Sequence, residues 1–396
     1  MTMTIDSRPD YPVQPKPYIP MLIRFFQDLM GLAALQVDMK SPAYFLRSSF
    51  ISNALTDPCL FHSTLYLASA HLDTMRGTHN NQITLYHHTK TVRLLNTRIA
   101  SGDVVDDGTI ASVLLLLMSG TVEKESGAAE AHREALLRMV DMRGGFDKLG
   151  FDGVLSEMIQ MKLVHPAVIF DLADAFPAQW ACTPVAPTEL VRLVLDRLGA
   201  YTTGNPSVKS YLMRMFEHVL ELLEAVSDDV DEQTGLPRQR NVSVEDMLDR
   251  TRPWMETILL DHSPQDFSRS EWAMLRSCLA SVTIVQSLLD YRLPFQMEMI
   301  MELLKEMKSD LAVAEPIVWV RHSPEANLWV AVVGMAMAPE VDGRLWFLMN
   351  EKCVVSSIQC TAGRLHEKSW YCFRLLRSFA KAQYEKYGHD PSLIYE

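Results

Sequence analysis

Several features that would assign this chain to a class at once are missing. Its six cysteines (Cys59, Cys182, Cys278, Cys353, Cys360 and Cys372) form no C-x-x-C pair, and the closest two, Cys353 and Cys360, have six residues between them. Thiolate zinc sites need tighter clusters, so buried reduced thiols are expected and no metal is assigned. The apolar stretch Ile110–Met118 falls far short of the roughly 20 residues that a membrane-spanning helix requires. The first residues carry no apolar signal core, so neither a membrane span nor secretion is expected, and the expected compartment is cytoplasmic. Basic charge is scarce as well: 37 Lys and Arg against 49 Asp and Glu leave a net charge of −12. The longest basic cluster, Arg238 to Arg240, stands beside the acidic run Asp228 to Glu232. Phosphate backbones repel such a surface unless a local basic patch compensates, so direct DNA binding is not expected. The sequence also has no G-x-S-x-G, H-E-x-x-H, P-loop or G-x-G-x-x-G signature, and no cofactor is assigned.

What the chain does have is helical periodicity over most of its length, and a hydrophobic share of 48% that can build a large core. Prolines 9, 12, 15, 17 and 20 predict an extended, poorly ordered tail over residues 1–20. Leu22, Phe25, Phe26, Leu29 and Met30 then form a stripe at helical spacing. Asp57-Pro58 reads as an N-cap with proline at the first helical position, opening a helix through Leu72. Further helices are predicted near 80–100, 107–119, 126–143, 152–164, 166–176 and 187–199. A second set is predicted near 207–226, 244–260, 268–290, 294–313, 323–337, 342–357 and 361–387. Ser323-Pro324-Glu325 supplies a capping hydroxyl, a proline and an acid in the order that starts a helix. The stretch 227–243, "SDDVDEQTGLPRQRNVS", reads as an internal loop. No sustained alternation of period two occurs, so a sheet is not expected. The predicted fold is all-α, one large multi-helix domain over residues 21–396.

The segment "AHREALLRMVDMRGGFDKLG" (131–150) reads as a finished helix with a stop. Ala135, Leu136, Met139 and Val140 share a face, and Gly144 and Gly145 can take the left-handed conformation that ends a helix. The segment stands in a series. "LFHSTLYLASAHL" (60–72), "YHHTKTVRLLNTRI" (86–99) and "DDGTIASVLLLLMSG" (106–120) precede it, and "NLWVAVVGMAMAPEVDGRLWFL" (327–348) follows. In that order they resemble the fungal-specific transcription-factor domain, the all-helical region behind binuclear zinc-cluster DNA readers, over about residues 20 to 390. Those regulators carry a six-cysteine cluster opening C-x2-C-x6-C, which this sequence does not contain. The resemblance implies a helical effector module. Such modules serve as partner-dependent regulators or as pathway proteins adopted for chemistry, among which the tropolone–sesquiterpenoid hetero-Diels–Alderases look like an all-helical case.

Candidate chemistry rests on a few side chains. His62, Tyr66 and His71 fall on one predicted helix, with His62 and Tyr66 four residues apart and so on one face. His132 and Arg133 open the helix of the 131–150 segment. Lys162 and His165 lie together before Pro166. Asp228-Asp229-Val230-Asp231-Glu232 imitates an aspartate-rich magnesium box, but no second acidic motif accompanies it, and a solvated loop is expected. Met297, Met299, Met301 and Met307, with Trp319, Trp329, Trp346 and Trp370, either fill gaps between helices or line an apolar pocket. Two readings follow. In one, His71, Tyr66, His62 and Arg133 act in a cofactor-independent enzyme of the pericyclase kind. It would bind a hydrophobic polyketide or terpenoid through Trp319, Trp329, Trp346, Met297, Met301, His165 and Lys162, since a cycloaddition needs chiefly near-attack geometry and a hydrogen-bond donor. In the other, the chain is a nuclear regulator without a zinc cluster that works through a partner or by ligand sensing. Either reading is compatible with a homodimer.

Overall fold

A computed structural model describes residues 11–29, 50–78, 81–101, 105–172, 186–200, 204–227, 245–251, 266–290, 296–350 and 365–386. Among these residues every regular element is helical and none is a strand, so the fold is all-α. The chain groups into two compact units, the first built on residues up to Pro166 and the second from Ala167 onward.

Unit 1 contains α1 (Ile19–Leu29), α2 (Ile51–Thr56), α3 (Pro58–Met75), α4 (Gln82–Ser101), α5 (Asp107–Val122) and α6 (Ser126–Met142), and the greater part of α7 (Val154–Ile169). Helix α3 is its hub and packs against α1, α2, α4 and α5. It starts where the sequence places it. Asp57 accepts hydrogen bonds from the Cys59 and Leu60 amides at 2.8 and 3.2 Å, and Pro58 occupies the first turn, where its missing N–H leaves nothing unpaired. The same carboxylate receives both guanidinium nitrogens of Arg98 on α4, at 2.9 and 2.5 Å, so one side chain caps the hub and fixes its neighbour. Every residue of α3 from Cys59 to His71 is buried, which explains why its polar side chains have to find partners inside the protein.

The 131–150 segment ends as its glycines predict. The Gly145 amide donates to the Val140 carbonyl at 3.0 Å and the Gly144 amide to Asp141 at 2.9 Å, the paired bonds of a Schellman stop. Both glycines have positive φ, +88° and +99°. Leu136, Met139 and Val140 are buried, and Leu149 returns to the core beyond the stop.

Three expectations need correction. Residues 11–18 precede the first helix, as their prolines imply, yet they are held in place: Tyr11 stacks on Phe61 at 5.5 Å and Tyr18 reaches His87. Two aromatic anchors fasten a segment that composition marks as a loose tail. The break expected at Pro166 is absent, and α7 runs through it. Leu163, Val164, Ala167, Val168 and Ile169 are all buried around that proline, and this apolar packing offsets the lost backbone bond. The helix ends instead where Asp171 takes a positive φ of 55° and the Leu172 amide reaches back to Ala167. Finally, a helix that periodicity did not reveal, α12, covers Pro316–His322. Of the loop expected at 227–243, Ser227 closes α9 and the rest lies outside the described residues, as does most of the helix expected near 244–260, although residues 245–251 are helical.

Unit 2 contains α8 (Glu189–Ala200), α9 (Pro206–Ser227), α10 (Arg269–Leu289), α11 (Met297–Val313), α12, α13 (Pro324–Met337), α14 (Val341–Met349) and α15 (Leu365–Lys386). Its hub is α13, in which every residue is buried and which packs against α8, α10, α11, α12, α14 and α15. Ser323 caps it by accepting from the Ala326 amide at 3.2 Å. Helix α10 begins with a capping box between Ser268 and Glu271. By length and composition α10 could cross a membrane, but most of it is buried within the protein.

Gly334 sits at the closest approach of α13 and α14, where an added Cβ would meet the Phe347 ring at 2.5 Å. Replacing a mid-helix glycine by alanine ordinarily stabilises a helix by up to about 1 kcal/mol. Here overpacking against a fully buried ring reverses the sign, and Gly334→Ala is expected to destabilise unit 2 by about 1–3 kcal/mol in urea unfolding. An equal or higher midpoint would refute this account of the contact.

Candidate functional site

The polar side chains of α3 converge with those of α4 on the inside of unit 1. Thr84, His87, Thr91 and Leu95 form the buried face of α4, an unusually polar stripe at helical spacing. His87 meets His62 of α3, with Nδ1 to Nδ1 at 2.8 Å, and its Nε2 lies 3.2 Å from the Tyr18 hydroxyl. Tyr18, His87 and His62 therefore form a continuous hydrogen-bonded chain. The Tyr86 ring stands edge-on to both imidazoles. Burial pushes His62 down to about 4, with the Lys90 ammonium adding to the effect, and pushes His87 down to about 3, with His62 adding to it.

One turn along α3, the Tyr66 hydroxyl donates to Glu123 Oε2 in a short hydrogen bond, and its ring stacks on His88 at 4.8 Å. Glu123 is the C-cap residue of α5, so the bond ties the hub to the end of its neighbour. Burial raises the Tyr66 phenol, and Glu123 accepting its hydrogen bond raises it further. Burial also raises Glu123. Asp73 closes the arrangement by accepting from Thr84 at 2.6 Å, which secures the turn between α3 and α4.

His71 differs from these groups. It is 7% exposed, its ring lies 5.9 Å from Phe25, and its Nδ1 is buried with no hydrogen-bond partner among the described residues. Burial lowers it to about 4, and the charge of Lys162 contributes. Lys162 also acts on His165, which burial holds well below its ordinary value. Arg133 is engaged by Glu130 through Nε at 2.9 Å and Nη2 at 2.7 Å. Its neighbour His132 is lowered by burial and then by His88.

The expected substrate-binding set belongs largely to the other unit. Trp319 and Trp329 are buried; the Trp329 indole donates to Ser281 Oγ at 3.0 Å and meets Phe216 edge-on. Trp346 is half-buried with the Lys308 ammonium 5.5 Å from its ring, and Met297 and Met301 are half-buried on α11. His62, Tyr66, His71, Arg133, Lys162 and His165 lie in unit 1, while Trp319, Trp329, Trp346, Met297 and Met301 lie in unit 2. Among the described residues no group of three or more His, Cys, Asp or Glu is arranged to hold a metal. Sequence reasoning passed over His87, His88, Glu123 and Tyr18. The signal for His87 was available in the spacing of Thr84, His87, Thr91 and Leu95, which marks the inner face of a helix whose apolar residues are too few to mark it.

Unit 1 is thus an all-helical unit whose interior carries hydrogen-bonded polar side chains. Residues 31–165 match the family model for the fungal specific transcription factor domain. The match covers about a third of the chain and falls within unit 1, a narrower span than the resemblance over residues 20 to 390 suggests. Comparison with curated proteins and comparison with solved structures return no match.

Histidines held neutral by burial make unit 1 acid-sensitive. Above the unfolded value near 6.5 both states are neutral and the histidines add nothing to the pH dependence. As pH falls below 6.5, the unfolded chain takes up protons that folded His62, His71 and His87 refuse until about 4, 4 and 3. Stability is therefore lost across that window, by about 2 kcal/mol at pH 5 for each histidine that titrates independently. Urea unfolding at pH 7 and pH 5 reads this directly, and a flat profile would contradict it. Tyr66→Phe removes the donor from a half-buried carboxylate and is expected to cost about 1–3 kcal/mol at pH 7.

Proposed function

We propose that this chain is a helical regulatory module of the fungal transcription-factor kind, working in the nucleus through a partner protein rather than by gripping DNA. The observation that carries this reading is the polar network inside unit 1, most of which (His62, Tyr66, His87 and Glu123) falls within the family-matched residues 31–165. Tyr18, His87 and His62 bond to one another, and Tyr66 bonds to Glu123. Side chains so engaged hold a shape, and a shape that is held is what a docking module supplies. The net charge of −12 also suits a role away from the phosphate backbone. The test is to tag the chain in its host, isolate nuclei, and compare transcript levels with and without the gene. A defined set of altered transcripts is expected, together with no shift of promoter DNA by the purified chain. Unchanged transcripts would sink the proposal.

One observation favours a second reading, a cofactor-independent enzyme of the hetero-Diels–Alderase kind acting on a hydrophobic small molecule. The Nδ1 of His71, which has no hydrogen-bond partner among the described residues, lies in a buried ring beside Phe25, under the positive field of Lys162. A lone polar atom in such a setting can polarise one reaction partner while the walls align the other. Incubation with polyketide and terpenoid intermediates checks this: product stereochemistry should depart from that of the protein-free control, and His71→Phe should remove the difference. Identical product distributions would exclude it.

A further inference from the structure

Helix α4 turns its polar stripe inward and leaves an apolar stripe outside. Leu85 and Ile99 are 44% and 58% exposed, and Val92 between them is half-buried. The three are spaced by seven residues, so they drift by only about 20° per step and keep to one narrow line. At 1.5 Å per residue this line runs about 21 Å along a helix of 20 residues. A groove runs along the same side, with Arg93 and Asn96 among its walls. Heptad spacing is the pattern that receives another helix in a left-handed crossing.

Charge decides what the other helix is. The sequence of α4, "QITLYHHTKTVRLLNTRIAS", contains Lys90, Arg93 and Arg98 and no carboxylate, within a chain whose net charge is −12. Arg98 is held by Asp57, Lys90 lies 5.7 Å from the Tyr86 ring, and Arg93 is exposed beside the stripe. A second copy docked about a twofold axis would set this basic helix against itself and bring like charges together. A nucleic acid would meet an apolar line with few cations at its flank, on an acidic protein. We infer that the outer face of α4 docks an acidic amphipathic helix of a partner protein, with apolar residues on Leu85, Val92 and Ile99 and carboxylates toward Arg93 and Lys90. This rests on the regulatory reading and gives its partner a chemistry.

The test is a selection on the purified full chain. The probe is a displayed library of helices roughly 20 residues long, with leucine at the a and d positions and Asp, Glu, Lys or Arg varied at the flanking positions. Acidic flanks should be enriched. The winning peptide, made synthetically, should lose about tenfold or more in affinity with Val92→Glu and with Arg93→Glu, and should weaken as salt is raised. Arg93 is exposed and Val92 half-buried, and unchanged thermal melting verifies that both substitutions leave the fold intact. A selection without charge bias, or binding indifferent to Val92→Glu, overturns the inference. So does a chain that sediments as a dimer dissociated by Val92→Glu, or one that captures duplex DNA through Arg93. The readout is binding alone, so its failure is distinguishable from unchanged transcripts, which would count against the regulatory reading itself.

Discussion

Unit 1 depends on the burial of a helix that is not apolar. Helix α3 lies in the middle with its residues from Cys59 to His71 out of water, and among them are His62, Ser63, Thr64, Tyr66, Ser69 and His71. A buried polar atom without a partner costs of order 1–3 kcal/mol, so a hub of this composition needs its neighbours to answer most of these groups, with His71 Nδ1 left unanswered among the described residues. The short polar residues answer locally: Ser63 and Thr64 both donate to the Leu60 carbonyl, and Ser69 donates to that of Tyr66. The larger ones require other elements. Helix α4 brings His87, the end of α5 brings Glu123, and the segment before α1 brings Tyr18. Unit 2 meets the same geometric demand with a different composition, since α13 is largely aliphatic and small and is covered mostly by packing, with Glu325 held by Arg197 and the Trp329 indole by Ser281.

This contrast bears on how each core tolerates change. A core that is only packed tolerates rearrangement as long as volume is kept, whereas a core of matched polar pairs admits one register. The part of the chain that resembles a transcription-factor domain is the part with the matched pairs. Its interior histidines stay neutral at ordinary pH because burial disfavours their charge. On α4 the polar side chains of Thr84, His87 and Thr91 turn inward, while Leu85 and Ile99 are exposed.

The parts of the fold legible in the sequence were those written in local chemistry. Asp57-Pro58, Ser323-Pro324-Glu325 and Gly144-Gly145 each act within a turn of themselves, and each starts or stops a helix as its residues imply. Pro166 was misleading because the packing that carries α7 through it comes from elements distant in sequence. Helix α12 was too short for periodicity to register. The site divides the same way. His62 and Tyr66 could be placed on one face because they are four residues apart. Their partners are 25 and 57 residues away, and no spacing rule reaches that far.

The order of contacts along the chain has a kinetic consequence. In unit 1 the strongest packing joins neighbours, α3 with α4 and α5 with α6, so loops are short and closure is fast. In unit 2, α15 packs against α8, α10 and α13, and the first of these precedes it by more than a hundred residues. On a ribosome, the hub of unit 1 can be enclosed as soon as α6 has emerged. The largely aliphatic hub of unit 2 stays partly uncovered until α15 is made. Chaperone demand during synthesis thus falls on the second half of the chain, where aliphatic surface waits longest for its cover.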